Sequence, residues 1–189
     1  MKKSLVLLLV SFSCLMVVSC GSKTIPKAKM SELEIPEMDF FYEENAIQLH
    51  LKADSQLHLF EGSPHQLYLC IYQLSDPNYF NQLTGDQEGL YELLECGRFD
   101  ASVATSKSLS IQPGEDRQES LARAEGAKYV AVVAGYSTLQ KEHMVRLFDI
   151  PILQKSKWYN PLSKYYKIGT LNVNLLLGPQ EIQEFGEKK

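Results

Sequence analysis

Leu67-Tyr68-Leu69-Cys70-Ile71-Tyr72-Gln73-Leu74 is the stretch on which the fold turns. Only Gln73 interrupts its run of apolar and aromatic side chains, so both faces of the segment need cover. A short segment with that property reads as a central strand. A second run, Ala127 to Tyr136, has the same character and is the most apolar part of the chain beyond its N-terminal leader. Two central strands in one chain ask for flanking strands, and the surrounding sequence supplies them.

Upstream, Ile47, Leu49 and Leu51 alternate with Gln48, His50 and Lys52, the period of a half-buried strand. Downstream, Phe99, Ala101 and Val103 alternate with Asp100, Ser102 and Ala104. Leu109 and Ile111 alternate with serines up to the turn Pro113-Gly114, and Arg117 to Leu121 forms a weaker strand. Met144, Phe148, Ile150 and Ile152 share one face of a further strand, with Pro151 marking an edge or a bulge. The last strand runs through Leu171, Val173, Leu175 and Leu177 and stops at Gly178-Pro179. Asp76-Pro77 and Asp86 each open a short helix, with Phe80, Leu83, Leu90, Leu93 and Leu94 at core-facing spacing. About eight short strands interrupted by two short helices predict a mainly β fold, an antiparallel β-sandwich with a helical insertion. Residues 154–167, with Trp158, Tyr159, Tyr165 and Tyr166, read as a polar loop bearing aromatic side chains.

The N-terminus has a different organisation. Lys2 and Lys3 precede an uncharged, Leu- and Val-rich run from Ser4 to Val18, the layout of a secretory signal. That run is shorter than the ~20 residues a spanning helix needs. Val17-Val18-Ser19-Cys20 resembles the bacterial lipoprotein signal, which implies cleavage before Cys20 and its lipidation. The expected organisation is a signal peptide over 1–19, a lipidated tether over 20–44, the sandwich over 45–178 and a polar tail over 179–189. Gly21 after the lipidated position resembles the default, outer-membrane address.

The 189 residues carry 19 Lys and Arg against 23 Asp and Glu, a net charge of −4 without a basic run. Nucleic-acid binding, which needs clustered cations to neutralise phosphates, is not expected. Of the four cysteines, Cys14 leaves with the signal and Cys20 takes lipid. Cys70 and Cys96 either pair in an oxidising compartment or serve as two small buried residues. His50, His58, His65 and His143 show no metal-binding spacing, and no nucleophile elbow or phosphate loop occurs. Glu43-Glu44 and Glu115-Asp116 sit in solvated polar surroundings, which do not separate two pKa values for acid–base work. No enzyme, metal or cofactor is expected. Leu57, Leu59 and Phe60 stand close together in the polar loop after the first strand. They either fold back onto the core or offer an apolar anchor inside a polar rim to a partner.

Several of these segments together resemble a known family. Ala46-Ile47 in the first strand, the Ala53-Asp54 exit, Gly62-x-Pro64, and the strand ending Tyr72-Gln73-Leu74 follow in order. The Phe80 helix, the Leu90–Leu94 helix, Gln112-Pro113-Gly114-Glu115 and Ala127–Tyr136 then complete the series. From Ala46 to Ile152, and in its lipid-attachment signal, the chain resembles the type VI secretion lipoproteins of the TssJ (SciN, VasD) family. The resemblance implies a transthyretin-like sandwich anchored in the outer membrane at its periplasmic face. It implies binding to the periplasmic C-terminal region of TssM within a TssJ–TssM–TssL membrane complex. The family's partner loop carries over to Ala53–Pro64, with Ser55, Gln56, Leu57, His58, Leu59, Phe60 and Glu61 as the expected contact residues. The competing expectation is a free-standing periplasmic sandwich that binds a small ligand or sugar on Trp158, Tyr159, Tyr165 and Tyr166.

Overall fold

β1 (Glu43–Ala53) buries Ile47, Leu49 and Leu51 and turns Lys52 to solvent, as its alternation requires. In the computed structural model, residues 38–187 are described. The expected signal peptide and Cys20 lie outside them. β1 is flanked on one side by β4 (Asp116–Arg123), antiparallel, and on the other by β9 (Leu171–Leu177), parallel, with Ile47 opposite Leu171 and Ala53 opposite Leu177. β10 (Ile182–Glu187) pairs antiparallel with β9, so this sheet has the order β10-β9-β1-β4.

The second sheet is built on the quoted run. β2 (Leu67–Leu74) lies between β3 (Val103–Ile111) and β5 (Tyr129–Ala134), and β6 (Val145–Asp149) completes the order β3-β2-β5-β6. Every pairing in it is antiparallel. One face of β2 looks to the first sheet: the Gln73 amide donates to Ala122 O at 2.8 Å, and its oxygen accepts from the Ala124 N–H at 2.7 Å. A polar side chain can be buried there because both ends of its amide are bonded.

The other face of β2 lies under the helices. α1 (Asn78–Leu83) and α2 (Gln87–Leu94) follow β2 directly. The Tyr72 hydroxyl donates to Leu93 O at 2.6 Å, its ring packs 5.4 Å from Phe99 and 6.2 Å from Phe80, and Cys70 is joined to Cys96 in a disulfide with Cα atoms 5.4 Å apart. Removal from water pushes the Tyr72 hydroxyl above its ordinary range, so it is a neutral donor. Asp86 caps α2 as expected, accepting from the Gly89 N–H at 2.8 Å. Gly89 is required there, because a Cβ would lie 2.1 Å from Leu83 O.

The mainly β class and the helical insertion agree with expectation; other details differ. Ten strands are present among the described residues, rather than about eight. Residues 152–168 form a hairpin, β7 (Ile152–Lys157) and β8 (Asn160–Ile168), rather than a loop. These strands pair only with each other, so most of their described side chains stay in water and no apolar alternation announces them. The stretch read as a polar tail holds β10, fastened by the buried Ile182. Phe40, placed in the tether, is buried, and β1 already begins at Glu43. The strand read through Met144 to Ile152 is divided: Met144 ends a short helix, α3 (Lys141–Met144), and Pro151 separates β6 from β7. Phe99 and Ala101 precede β3, in the connecting segment and its closing turn. The cap of α1 is also shifted, since Pro77 holds the N-cap position while the Asp76 carboxylate accepts from the Asn78 N–H at 2.7 Å.

β4 is an edge strand whose core-side positions include charges. Glu119 lies opposite Leu49 and is bonded by Lys107 of β3 and, at 3.0 Å, by Arg117. Inward charges of this kind protect a sheet edge from further strand addition. Burial alone would raise the Glu119 pKa, but the bonds from Lys107 and Arg117 outweigh it and hold the carboxyl below its ordinary value of 4.5. The depressed folded value means that the contribution to stability is present above the unfolded pKa and disappears as pH falls through the folded one. Wild type is therefore expected to melt above Glu119→Gln at neutral pH and to converge on it in strong acid. A gap between the two melting curves that is independent of pH would contradict this.

Candidate functional site

The β1–β2 loop closes one end of the sandwich, and its backbone is fixed along its length. The Asp54 N–H donates to Leu177 O at 2.8 Å, and the Asp54 carboxylate accepts from the Gln56 N–H at 2.7 Å. Leu57 turns inward and is fully buried in the core. The N–H groups of His58 and Leu59 then donate to Gly178 O and Pro179 O at 3.4 and 2.7 Å, joining the loop to the end of β9. Phe60 and Ser63 exchange two backbone hydrogen bonds of 3.0 Å, with Glu61 and Gly62 between them at φ of 50° and 77°. Positive φ at both central residues is the pattern of a type I′ hairpin turn, and glycine supplies it without strain at the second.

His58 is a structural pin. Its Nε2 accepts from the Ser137 N–H at 3.1 Å, so Nδ1 carries the proton and donates to Gln66 O at 3.0 Å. Its ring stands edge-on to Tyr136, 5.9 Å away, and Tyr136 in turn donates to Gly178 O at 3.3 Å. Burial pushes the Tyr136 hydroxyl above its usual range, which keeps it protonated for that bond.

The expected contact residues thus separate. Ser55, Gln56, Phe60 and Glu61 are exposed, His58 and Leu59 are half-buried, and Leu57 is core. The expectation for Leu57 as a contact residue is corrected, because no surface of it remains for a partner. Phe60 is the apolar side chain the loop presents, 49% exposed and 6.2 Å from the His65 ring. Gln66, Tyr136, Ser137, Gly178 and Pro179, which hold the loop in shape, were not expected from the sequence. They come from three segments, two of them far from the loop in sequence, and no local pattern links them.

Trp158, Tyr159, Tyr165 and Tyr166, the expected stacking surface for a ligand, lie on the β7–β8 hairpin, with Tyr166 half-buried and the others exposed. Trp158, Tyr159 and Tyr165 come together with Ser156 around a cleft of about 500 Å³; Trp158 is 93% exposed, so the cleft is open rather than enclosed. A separate cleft of about 500 Å³ opens at the β3–β4 edge beside Tyr42, Ile71, Gln73 and Leu121. Thr105, Ser106, Lys107 and Glu125 also line it, and Gln73, the buried polar side chain among its lining residues, is already bonded to Ala122 and Ala124. Among the described residues, no group of three or more His, Cys, Asp or Glu is placed to hold a metal ion.

The architecture defines a class: a two-sheet sandwich with a helical cover and one braced loop at its end. The chain belongs to the type VI secretion lipoprotein family (VasD, EvfM, TssJ), whose model matches residues 45–174. Solved structures share the fold at low identity. The lipoprotein TssJ1 from Pseudomonas aeruginosa is 18% identical with a TM-score of 0.56, covering 79% of this chain and 97% of its own. Serratia marcescens Lip, a membrane-bound component of the type VI secretion system, is 17% identical with a TM-score of 0.53, covering 76% and 96%. A chain in a structure of the type VI protein TssM C-terminal domain (869–1107) from EAEC is 15% identical with a TM-score of 0.52, covering 76% and 97%. No curated protein matches the sequence.

Proposed function

We propose that this lipoprotein is held in the outer membrane by acyl chains on Cys20 and binds the periplasmic C-terminal region of TssM through the β1–β2 loop, in a complex that also contains TssL. It acts as a scaffold rather than as a catalyst. The observation that carries this reading is the loop itself: a backbone bonded at both flanks that exposes Phe60 within a polar rim of Ser55, Gln56 and Glu61. A braced loop loses little conformational entropy on binding, and an aromatic side chain in a polar surround is the usual composition of an interface anchor. Family membership and the similarity to a chain in a TssM structure support the choice of partner. Calorimetric titration with the periplasmic fragment of TssM from the same genome tests the proposal. Saturable binding is expected, and its absence with a folded fragment would overturn the partner assignment.

The anchor has its own test. Each buried CH₂ contributes ~0.8 kcal/mol, and stable attachment takes more than one acyl chain. Cys20→Ser is expected to leave the outer-membrane fraction and to abolish secretion. Normal fractionation and secretion by that variant would remove Cys20 from the account.

A further inference from the structure

The β7–β8 hairpin has no part in the site described above, and its composition departs from that of the chain around it. From Ile150 to Gln180 there is no Asp or Glu, while the hairpin carries Lys155, Lys157, Lys164 and Lys167. The whole chain has a net charge of −4, so positive charge is segregated here. Trp158 and Tyr159 occupy the turn with their rings edge-to-face at 5.7 Å, and both are exposed. Tyr165, also exposed, stands opposite Lys155 across the strands, and the exposed Leu153 stands opposite Lys167. Large aromatic surface left in water beside several lysines is unfavourable to a free surface on both counts: apolar area is hydrated, and like charges repel.

Topology fixes where this hairpin lies. β9 starts opposite Ile47 and ends opposite Ala53, and β6 runs from Val145, paired with Val133, to Asp149, paired with Tyr129. The hairpin therefore leaves the sandwich at the end where β1 begins, opposite the end closed by the β1–β2 loop. The chain also enters at that end: Phe41 O accepts from Arg123 at 3.1 Å, and Phe40 O accepts from the Gly126 N–H at 2.6 Å. The residues from Cys20 to Met38 span at most ~60 Å even if fully extended.

We infer that the β7–β8 hairpin rests on the surface of a bilayer containing anionic phospholipid, with Trp158, Tyr159 and Tyr165 at headgroup depth and the lysines on the phosphates. Tryptophan and tyrosine partition to that layer because their rings are apolar and their N–H or O–H needs a polar partner. Lysine close to an anionic leaflet adds attraction that is lost at high salt. With the hairpin on the membrane, the β1–β2 loop, at the opposite end of the sandwich, points away from it. The choice of membrane rests on the proposed anchor at Cys20; the lipid contact of the hairpin does not.

Trp158 is the only tryptophan in the chain, so its fluorescence reports on the hairpin alone. The full-length lipidated protein is titrated with vesicles of phosphatidylcholine and with vesicles containing equal parts phosphatidylcholine and phosphatidylglycerol. A blue shift of Trp158 emission and quenching by lipids brominated near the headgroup are expected in the anionic vesicles and much weaker in the neutral ones. The variant Lys155→Glu/Lys164→Glu/Lys167→Glu changes exposed side chains only and should keep the wild-type melt. It is expected to need roughly tenfold more anionic lipid for half the shift, or to show none. Emission that stays at the solvent-exposed position in anionic vesicles, or equal quenching in both compositions, would overturn the inference. So would a shift that appears only when an acidic protein partner is added, since the hairpin would then be a protein-docking element. Flotation on neutral vesicles, where the hairpin adds little, reports separately on the anchor.

Discussion

Leu69→Asp is expected to give a protein without a cooperative thermal transition. Leu69 is fully buried in β2 between its cross-strand neighbours Leu109 and Ala134. A carboxylate placed there has no polar environment, and burying it unpaired costs several kcal/mol against a total stability of about 5–15 kcal/mol. Val132 is equally buried but is a poorer choice, because its cross-strand neighbour in β6 is Arg146. An aspartate at that position has a cation beside it. Leu69→Ala, which removes methyl groups without adding charge, should remain folded and lose about 2–5 kcal/mol. Circular dichroism melts of the two variants check the pair. An Asp variant that melts cooperatively near the wild-type temperature would show that β2 is not the centre of its sheet.

Leu57→Ala and Phe60→Ala are expected to fail in opposite ways. Leu57 belongs to the core, so its truncation leaves a cavity and should lower stability by about 2–5 kcal/mol. Binding of TssM by the folded fraction should persist. Phe60 is half exposed at a turn whose backbone bonds are made by its own N–H and C=O. Its truncation should leave the melt unchanged and weaken TssM binding by at least ~2 kcal/mol, about thirtyfold. Titration and a denaturant melt on the same preparations separate the two quantities. Unaltered affinity in Phe60→Ala would take this side chain out of the interface.

The division between Leu57 and Phe60 shows where sequence reading stops. Both are large apolar residues in one polar loop, and nothing local distinguishes the one that plugs the core from the one left in water. The central strands were legible because burial on both faces forces continuous apolar sequence, as in Leu67–Leu74 and Ala127–Tyr136. β1 and β9 were legible through their alternation. β4 was faint because Arg117, Glu119 and Arg123 occupy core-side positions at an open edge, where charge is tolerated once it is paired. The β7–β8 hairpin reads as a loop because only its base, the Ile152–Ile168 pair, is packed on the core, so the rest of its sequence follows solvent rather than the period of a core. Phe40 was assigned to the tether because a single buried aromatic has no periodicity. The brace on the β1–β2 loop was invisible for a different reason. Tyr136, Ser137, Gly178 and Pro179 act through backbone groups or one hydroxyl, and the identity of a residue says little about where its carbonyl points.

The parallel pairing of β1 with β9 joins the beginning of the domain to a segment made more than a hundred residues later. β2, β3, β5 and β6 lie between them in sequence and form their sheet without waiting for either. Long-range closure of this kind comes late in folding, because its entropy cost is met before its contacts exist. The carbonyls of Gly178 and Pro179, which receive the His58 and Leu59 N–H groups, arrive only after β9 in a chain made from its N-terminus. A nascent or truncated chain therefore holds every residue of the β1–β2 loop yet not its shape. Correct loop geometry then depends on full-length synthesis, and on the proposed reading a fragment ending before Leu177 should compete poorly with the finished protein for TssM.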